Sequence, residues 1–127
     1  TPAGTYIYKK FMKYEREYQM LLEDALSQVG ESRIILYEYP ASKTSFTGEL
    51  ANELLYKYPD KIIIIAREHN GEMKCSLRSG EKIIINTILT KTLEEVGGLG
   101  GGHEHACGCV IQNEDFKTFL SVFESYL

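Results

Sequence analysis

Four consecutive isoleucines, Ile62 to Ile65, stand inside the run Lys61 to Glu68 and limit the fold more than any other feature of the chain. Side chains alternate between the two faces of a strand, so an unbroken apolar run must be buried on both faces. A sheet covered on both faces needs helices on each side, and this run is predicted to be the strand at its centre. Asn70-Gly71 follows at once. A type I′ turn requires positive φ at both central residues, and this pair is the one best suited to it. The chain then returns as Met73 to Arg78, with Met73, Cys75 and Leu77 on one face and Lys74, Ser76 and Arg78 on the other.

The remaining segments supply the covering layers. Arg33 to Tyr39 reads as a strand ending at Pro40, and a polar connection of Ser42, Lys43, Thr44 and Ser45 follows it. Next comes a helix over 46–58, capped by Ser45 or Thr47, which buries Leu50, Leu54, Leu55 and Tyr58 and stops at Pro59. Asn86 is predicted to cap a helix that turns Leu89, Leu93 and Val96 inward. A strand over 106–111 leads to a last helix, capped by Asn113 and closing over the sheet with Phe116, Phe119, Leu120 and Phe123. Ahead of all this, Ile7, Phe11, Tyr14, Tyr18, Leu21 and Ala25 recur at spacings of four and three between Thr5 and about Gln28. That is one continuous helical stripe. It packs either on its own domain or on a neighbouring domain outside this chain. The expected architecture is α/β: a mixed sheet with one antiparallel hairpin, flanked by helices and preceded by a long N-terminal linker helix over residues 1–30.

Between the last two predicted helices lies the most unusual composition. Residues 97–108 hold six of the eleven glycines, and His103 and His105 stand among them. Glycine this dense marks either a backbone path closed to other residues or a close approach of backbone to a ligand. The stretch reads as a glycine-rich loop. A dinucleotide fingerprint or phosphate-cradling P-loop is excluded, because both need a strand before the glycines and a helix after them. Here a helical segment comes first and a strand second. An anion met by this loop would be held by its amides and by His103.

Composition removes several function classes. The formal charge is −4, which speaks against a broad electrostatic grip on a nucleic-acid backbone and leaves local contact, at an end, as the remaining mode. Three cysteines, two of them spaced Cys107-x-Cys109, suit a reduced cytoplasmic protein better than a disulfide framework. No apolar run approaches the roughly 18 residues of a membrane span.

Taken together, GGGHEHACG, the EEVGG before it and KCSLRSG about twenty residues upstream resemble a known module. It is the C-terminal substrate-binding domain that accompanies the catalytic DHH domain in RecJ-like phosphoesterases, with archaeal members the most similar. The resemblance spans roughly residues 33 to 127 and makes 31–127 the DHH-associated domain. A related module ends alanyl-tRNA synthetases. The resemblance implies that Arg78, Ser79, Gly100, Gly101, Gly102 and His103 together hold the phosphate or nucleotide end of a substrate. Without it, Arg78 reads as a surface arginine at a strand end, paired with Glu81 or with nothing.

The same resemblance implies a two-metal centre of manganese or magnesium in the DHH domain. That domain is absent from this chain, which has only the scattered aspartates Asp24, Asp60 and Asp115 and no Asp-His-His. Residues His103, His105, Cys107 and Cys109 spell H-x-H-x-C-x-C, ligand types that suit zinc at a spacing structural zinc sites rarely use. No metal is assigned to them, and no catalytic residue is assigned to the chain. Three functions follow as expectations: half of a metal-dependent exonuclease or oligonucleotide phosphodiesterase, a non-catalytic module that joins replication proteins, or a tRNA-contacting domain. The expected partners are a single-stranded nucleic-acid or nucleotide end, and the DHH domain through the N-terminal helix.

Overall fold

The computed structural model describes residues 1–40 and 44–127, so the polar connection expected at Ser42 and Lys43 lies outside the described residues. In chain order the elements are α1 (Pro2–Ser27), β1 (Ile34–Pro40), α2 (Thr47–Lys57), β2 (Ile62–His69), β3 (Glu72–Arg78) and α3 (Ile85–Val96). They are followed by β4 (Leu99–Gly102), β5 (Ala106–Gln112) and α4 (Phe116–Ser125), the last entered through a 3-10 turn at Asn113–Asp115. The strands form one mixed sheet in the order β1-β2-β3-β5-β4. β1 and β2 run parallel and are joined through α2, whereas every other neighbouring pair is antiparallel.

The isoleucine strand behaves as its composition demands. Ile63 and Ile65 pack with Ile35, Tyr37, Leu50 and Leu54 beneath α1 and α2, while Ile62 and Ile64 join Leu77, Phe119 and Phe123 beneath α3 and α4. Its place differs from the expectation, however. β3 holds the centre, because β5 pairs along the edge of β3 that the hairpin leaves open and brings β4 with it. The hairpin turn has Asn70 at φ 52° and Gly71 at φ 80°, the positive pair that a type I′ turn requires.

Three predicted caps are not made. α2 starts after Phe46 with no side-chain cap, and Thr47 Oγ1 instead accepts from Ser76 Oγ at 2.9 Å. Asn86 lies inside the first turn of α3, with its Oδ1 buried and unpaired among the described residues. Asn113 donates its side-chain amide to Glu68 Oε1 at 2.9 Å, tying the 3-10 turn to β2. In each case a cross-chain or interior environment decided what a local signal could not.

α1 is anchored at one end only. Leu21, Leu22 and Ala25 are buried, Tyr18 donates to Glu53 Oε1 at 2.8 Å, and the Tyr37 phenol of β1 donates to Asp24 Oδ2 at 2.7 Å. Burial first, and then the facing carboxylate, push both phenols above the ordinary tyrosine range. The other half of the helix stands clear. Ile7 is 66% exposed and Phe11 57%, so the apolar stripe continues past the point where the body of the domain covers it.

Candidate functional site

Strand alternation lays out the site before any side chain is considered. α2 covers the sheet as far as β3 and leaves the β5 and β4 half of that face open. On this side β3 presents Lys74, Ser76 and Arg78, opposite Val110, Gly108 and Ala106 of β5. β4 adds Leu99 beside Val110 and Gly101 beside Gly108. The middle column is therefore small, and a trough runs between a cationic strand and an exposed one. Thr47, Lys74, Leu99, Gly100, Gly108 and Val110 are among the residues lining a hollow of about 360 Å³ at its upper end.

Arg78 closes the lower end. Its Nε donates to Asn52 Oδ1 at 2.8 Å, and its Nη1 donates to Leu77 O at 3.0 Å and Cys107 O at 3.4 Å. Nη2 has no hydrogen-bond partner among the described residues and lies 3.6 Å from where a Cβ at Gly48 would sit. Half-burial holds the guanidinium pKa below its ordinary value, outweighing the opposite effect of Cys107. A guanidinium braced on one side with a donor left over on the other is oriented before any anion arrives.

The glycine stretch is where sequence and structure differ most. Residues 99–102 are not a loop but an edge strand, and only residues 103–105 turn. An edge strand presents every second N–H and C=O along its outer side, so the amides of Gly100 and Gly102 remain available in a more rigid form than a loop gives, whereas that of Gly101 faces β5. Glycine is required by contact at Gly100, where a Cβ would fall 2.5 Å from Gly108 O and 2.6 Å from Cys109 Cβ. At Gly102 it is required by conformation as well, with φ at 149°.

The six residues singled out from sequence are thus divided. Arg78 and Gly101 share the open face, whereas alternation turns the α-carbon faces of Gly100 and Gly102 towards Cys109 and Cys107 on the opposite side. His103 begins the turn with its backbone N–H bonded to Ala106 O at 2.9 Å and its side chain exposed. Ser79 is buried. Its Oγ donates to Ile83 O at 2.7 Å and its N–H donates to His105 O at 3.0 Å, so it ties the 79–83 loop to the glycine turn. His105 joins that brace through Nδ1, 2.9 Å from Ile83 O. Lys74 was visible in the strand alternation, but Asn52, 26 positions from the arginine it holds, carries no local signal.

The zinc pattern does not assemble. Cys107 and Cys109 are buried on the α3/α4 face, and among the described residues no three His, Cys, Asp or Glu side chains come together as metal ligands. Burial pushes the Cys107 thiol up to about 11, and a hydrogen bond with Cys75 together with burial raises Cys109 further. No helix among the described residues is long and apolar enough to cross a membrane.

A family model described as the DHHA1 domain matches residues 35–127, nearly the whole of the sheet and its covering helices. The chain belongs to the DHHA1 domain family. No curated protein sequence matches it. Among solved structures, RecJ from Thermus thermophilus in complex with Mg2+ superposes with a TM-score of 0.75 at 20% identity, over 96% of this chain and 19% of that one. An exopolyphosphatase-related protein from Bacteroides fragilis gives 0.66 at 21% identity, over 87% of this chain and 35% of that one. The C-Ala domain of alanyl-tRNA synthetase from Aquifex aeolicus gives 0.57 at 12% identity, over 71% of this chain and 89% of that one. These likenesses establish a shared DHHA1-type fold. The chain spans about a fifth of the length of the RecJ structure.

Proposed function

We propose that this DHHA1 domain is the substrate-binding part of a RecJ-like metal-dependent phosphoesterase and holds the phosphate or nucleotide end of a single-stranded nucleic acid or short oligonucleotide. The observation that carries the reading is the open, glycine-centred trough between Lys74 and Arg78 on one side and the exposed strand β4 on the other. Arg78 Nη2 and the His103 imidazole are its side-chain donors for a phosphate, while Gly101 lines the floor and the outward amides of Gly100 and Gly102 stand along the far rim on β4. Ser79 holds the turn that carries His103. The floor is bare backbone at Gly101 and Gly108, and there a flat base can approach without meeting a side chain.

Catalysis belongs to a DHH domain supplying a manganese or magnesium centre, since the described residues of this chain offer no ligand set that fits one. The exposed stripe of Ile7 and Phe11 is the surface on which that domain docks, and the protein works in the cytoplasm. Contacts with replication proteins are made by the assembled protein.

Titration with adenosine monophosphate tests the site. Charge-assisted hydrogen bonds contribute about 1.5 to 3 kcal/mol each, so Arg78→Ala is expected to weaken binding by roughly 10- to 100-fold. Arg78→Lys, which keeps the charge and loses the planar fork, is expected to recover only part of it. Unchanged affinity in both variants contradicts the reading. A second reading, a tRNA-contacting domain, is favoured by the match to nearly the full C-Ala domain. It predicts binding of a tRNA with no measurable affinity for the mononucleotide.

A further inference from the structure

We infer that the projecting half of α1 is a second nucleic-acid contact, a lysine and tyrosine face that takes the single strand where it leaves the trough. Residues 1–14 contain Lys9, Lys10 and Lys13 and no acidic residue, in a chain whose formal charge is −4. Helical spacing puts Tyr6, Lys9, Lys10, Lys13 and Tyr14 together, and they line one surface hollow of about 570 Å³. This face lies beside Ile7 and Phe11 of the apolar stripe and shares Tyr14 with it.

The three lysines are exposed and form no ion pair or hydrogen bond among the described residues. The one acid at the hollow, Glu17, is already engaged. It accepts from the Thr44 hydroxyl at 3.1 Å and from the Thr44 backbone N–H. Tyr6 is 67% exposed, and Tyr14 is held edge-on against Phe46 with ring centroids 4.6 Å apart. Unpaired cations interleaved with presented aromatic rings match a phosphodiester chain with stackable bases better than an acidic protein surface, which has no use for the rings.

Position connects this face to the trough. Thr44 lines the hollow on α1, and Thr47 lines the hollow over Gly100 and Gly108. They are three positions apart, and three steps of extended chain span at most about 11 Å. The two hollows are therefore neighbours along one surface, with Lys13 and Tyr14 at one end and Lys74 at the other. The inference rests on the proposed reading of the trough as the seat of the strand's end.

The test uses the full chain and two probes, adenosine monophosphate and a ten-nucleotide oligodeoxythymidylate. The triple variant Lys9→Gln, Lys10→Gln, Lys13→Gln changes only exposed positions. It is expected to leave mononucleotide affinity unchanged and to lower the salt dependence of decamer binding by about 2 in the log–log slope, given roughly 0.7 per phosphate for single strands. Between 50 and 200 mM salt the unaltered chain then loses roughly 15-fold more affinity than the variant. Tyr6→Ala is expected to weaken the decamer about fivefold or more at every salt concentration. An unchanged decamer affinity and slope overturn the inference, as does lysine-dependent binding of polyglutamate in their place. Loss of mononucleotide binding in Arg78→Ala is read separately and reports on the trough alone.

Discussion

Replacing Gly100 with alanine tests whether β4 is a packed strand or a loose glycine loop. A Cβ built there falls 2.5 Å from Gly108 O, 2.6 Å from Cys109 Cβ and 2.9 Å from Cys109 Cα. Two of those atoms are backbone in the neighbouring strand, so rotating a side chain gives no relief. β4 must move outward or lose its pairing with β5. Overpacking of this kind costs about 1 to 3 kcal/mol, and backbone on one side of the clash argues for the upper part of that range. For a domain of this length a loss of about 2 to 3 kcal/mol lowers Tm by roughly 6 to 15 °C. Gly30→Ala is the control, because nothing lies within 4 Å of a Cβ at that position. Thermal unfolding followed by circular dichroism gives Tm, and hydrogen exchange of residues 99–102 and 107–110 shows where the damage lies. An alanine variant at position 100 that melts within about 1 °C of the unaltered chain would refute the strand packing described here.

Stability should fall above about pH 10. The Tyr18 and Tyr37 phenols are raised in the folded state, so the unfolded chain loses those protons first and the stability they lend disappears as pH climbs from the ordinary tyrosine value towards the folded ones. Denaturant titrations between pH 8 and 11 should show a shallower decline in Tyr37→Phe, and an identical decline would contradict the Tyr37–Asp24 hydrogen bond. The cysteines should resist a thiol reagent at pH 8 in the native state, because all three are buried and Cys107 is pushed up to about 11. Rapid labelling of any of them without unfolding would show that the α3/α4 core opens.

The sheet was legible where side chains carry a period. Ile62 to Ile65 announced two covered faces, and Asn70-Gly71 announced the hairpin. β4 was not legible, because Leu99-Gly100-Gly101-Gly102 has almost no side chains to alternate and is held as a strand by its pairing with β5. The order of strands also lay outside the sequence, since the free edge of β3 could accept either β5 or solvent. Site residues divided in the same way. Arg78 was singled out through the family resemblance, since a polar strand end alone reads as a surface arginine, and its brace by Asn52 and the burial of Ser79 depend on chain crossings with no local trace. Asn86 and Asn113 look like caps in isolation. Asn113 is bonded to Glu68 instead, because β5 ends beside the hairpin turn, where the Asn113 backbone N–H also donates to Gly71 O.

Whether an anion seats in the trough is measured most directly by amide chemical shifts recorded during a titration with adenosine monophosphate. The predicted result is a contiguous set of shifts over residues 74–80 and 99–108, extending to Gly48 at the start of α2, and lost in Arg78→Ala. Shifts confined to the α3/α4 face or to the 59–62 and 81–83 loops, with none in those two segments, would contradict it.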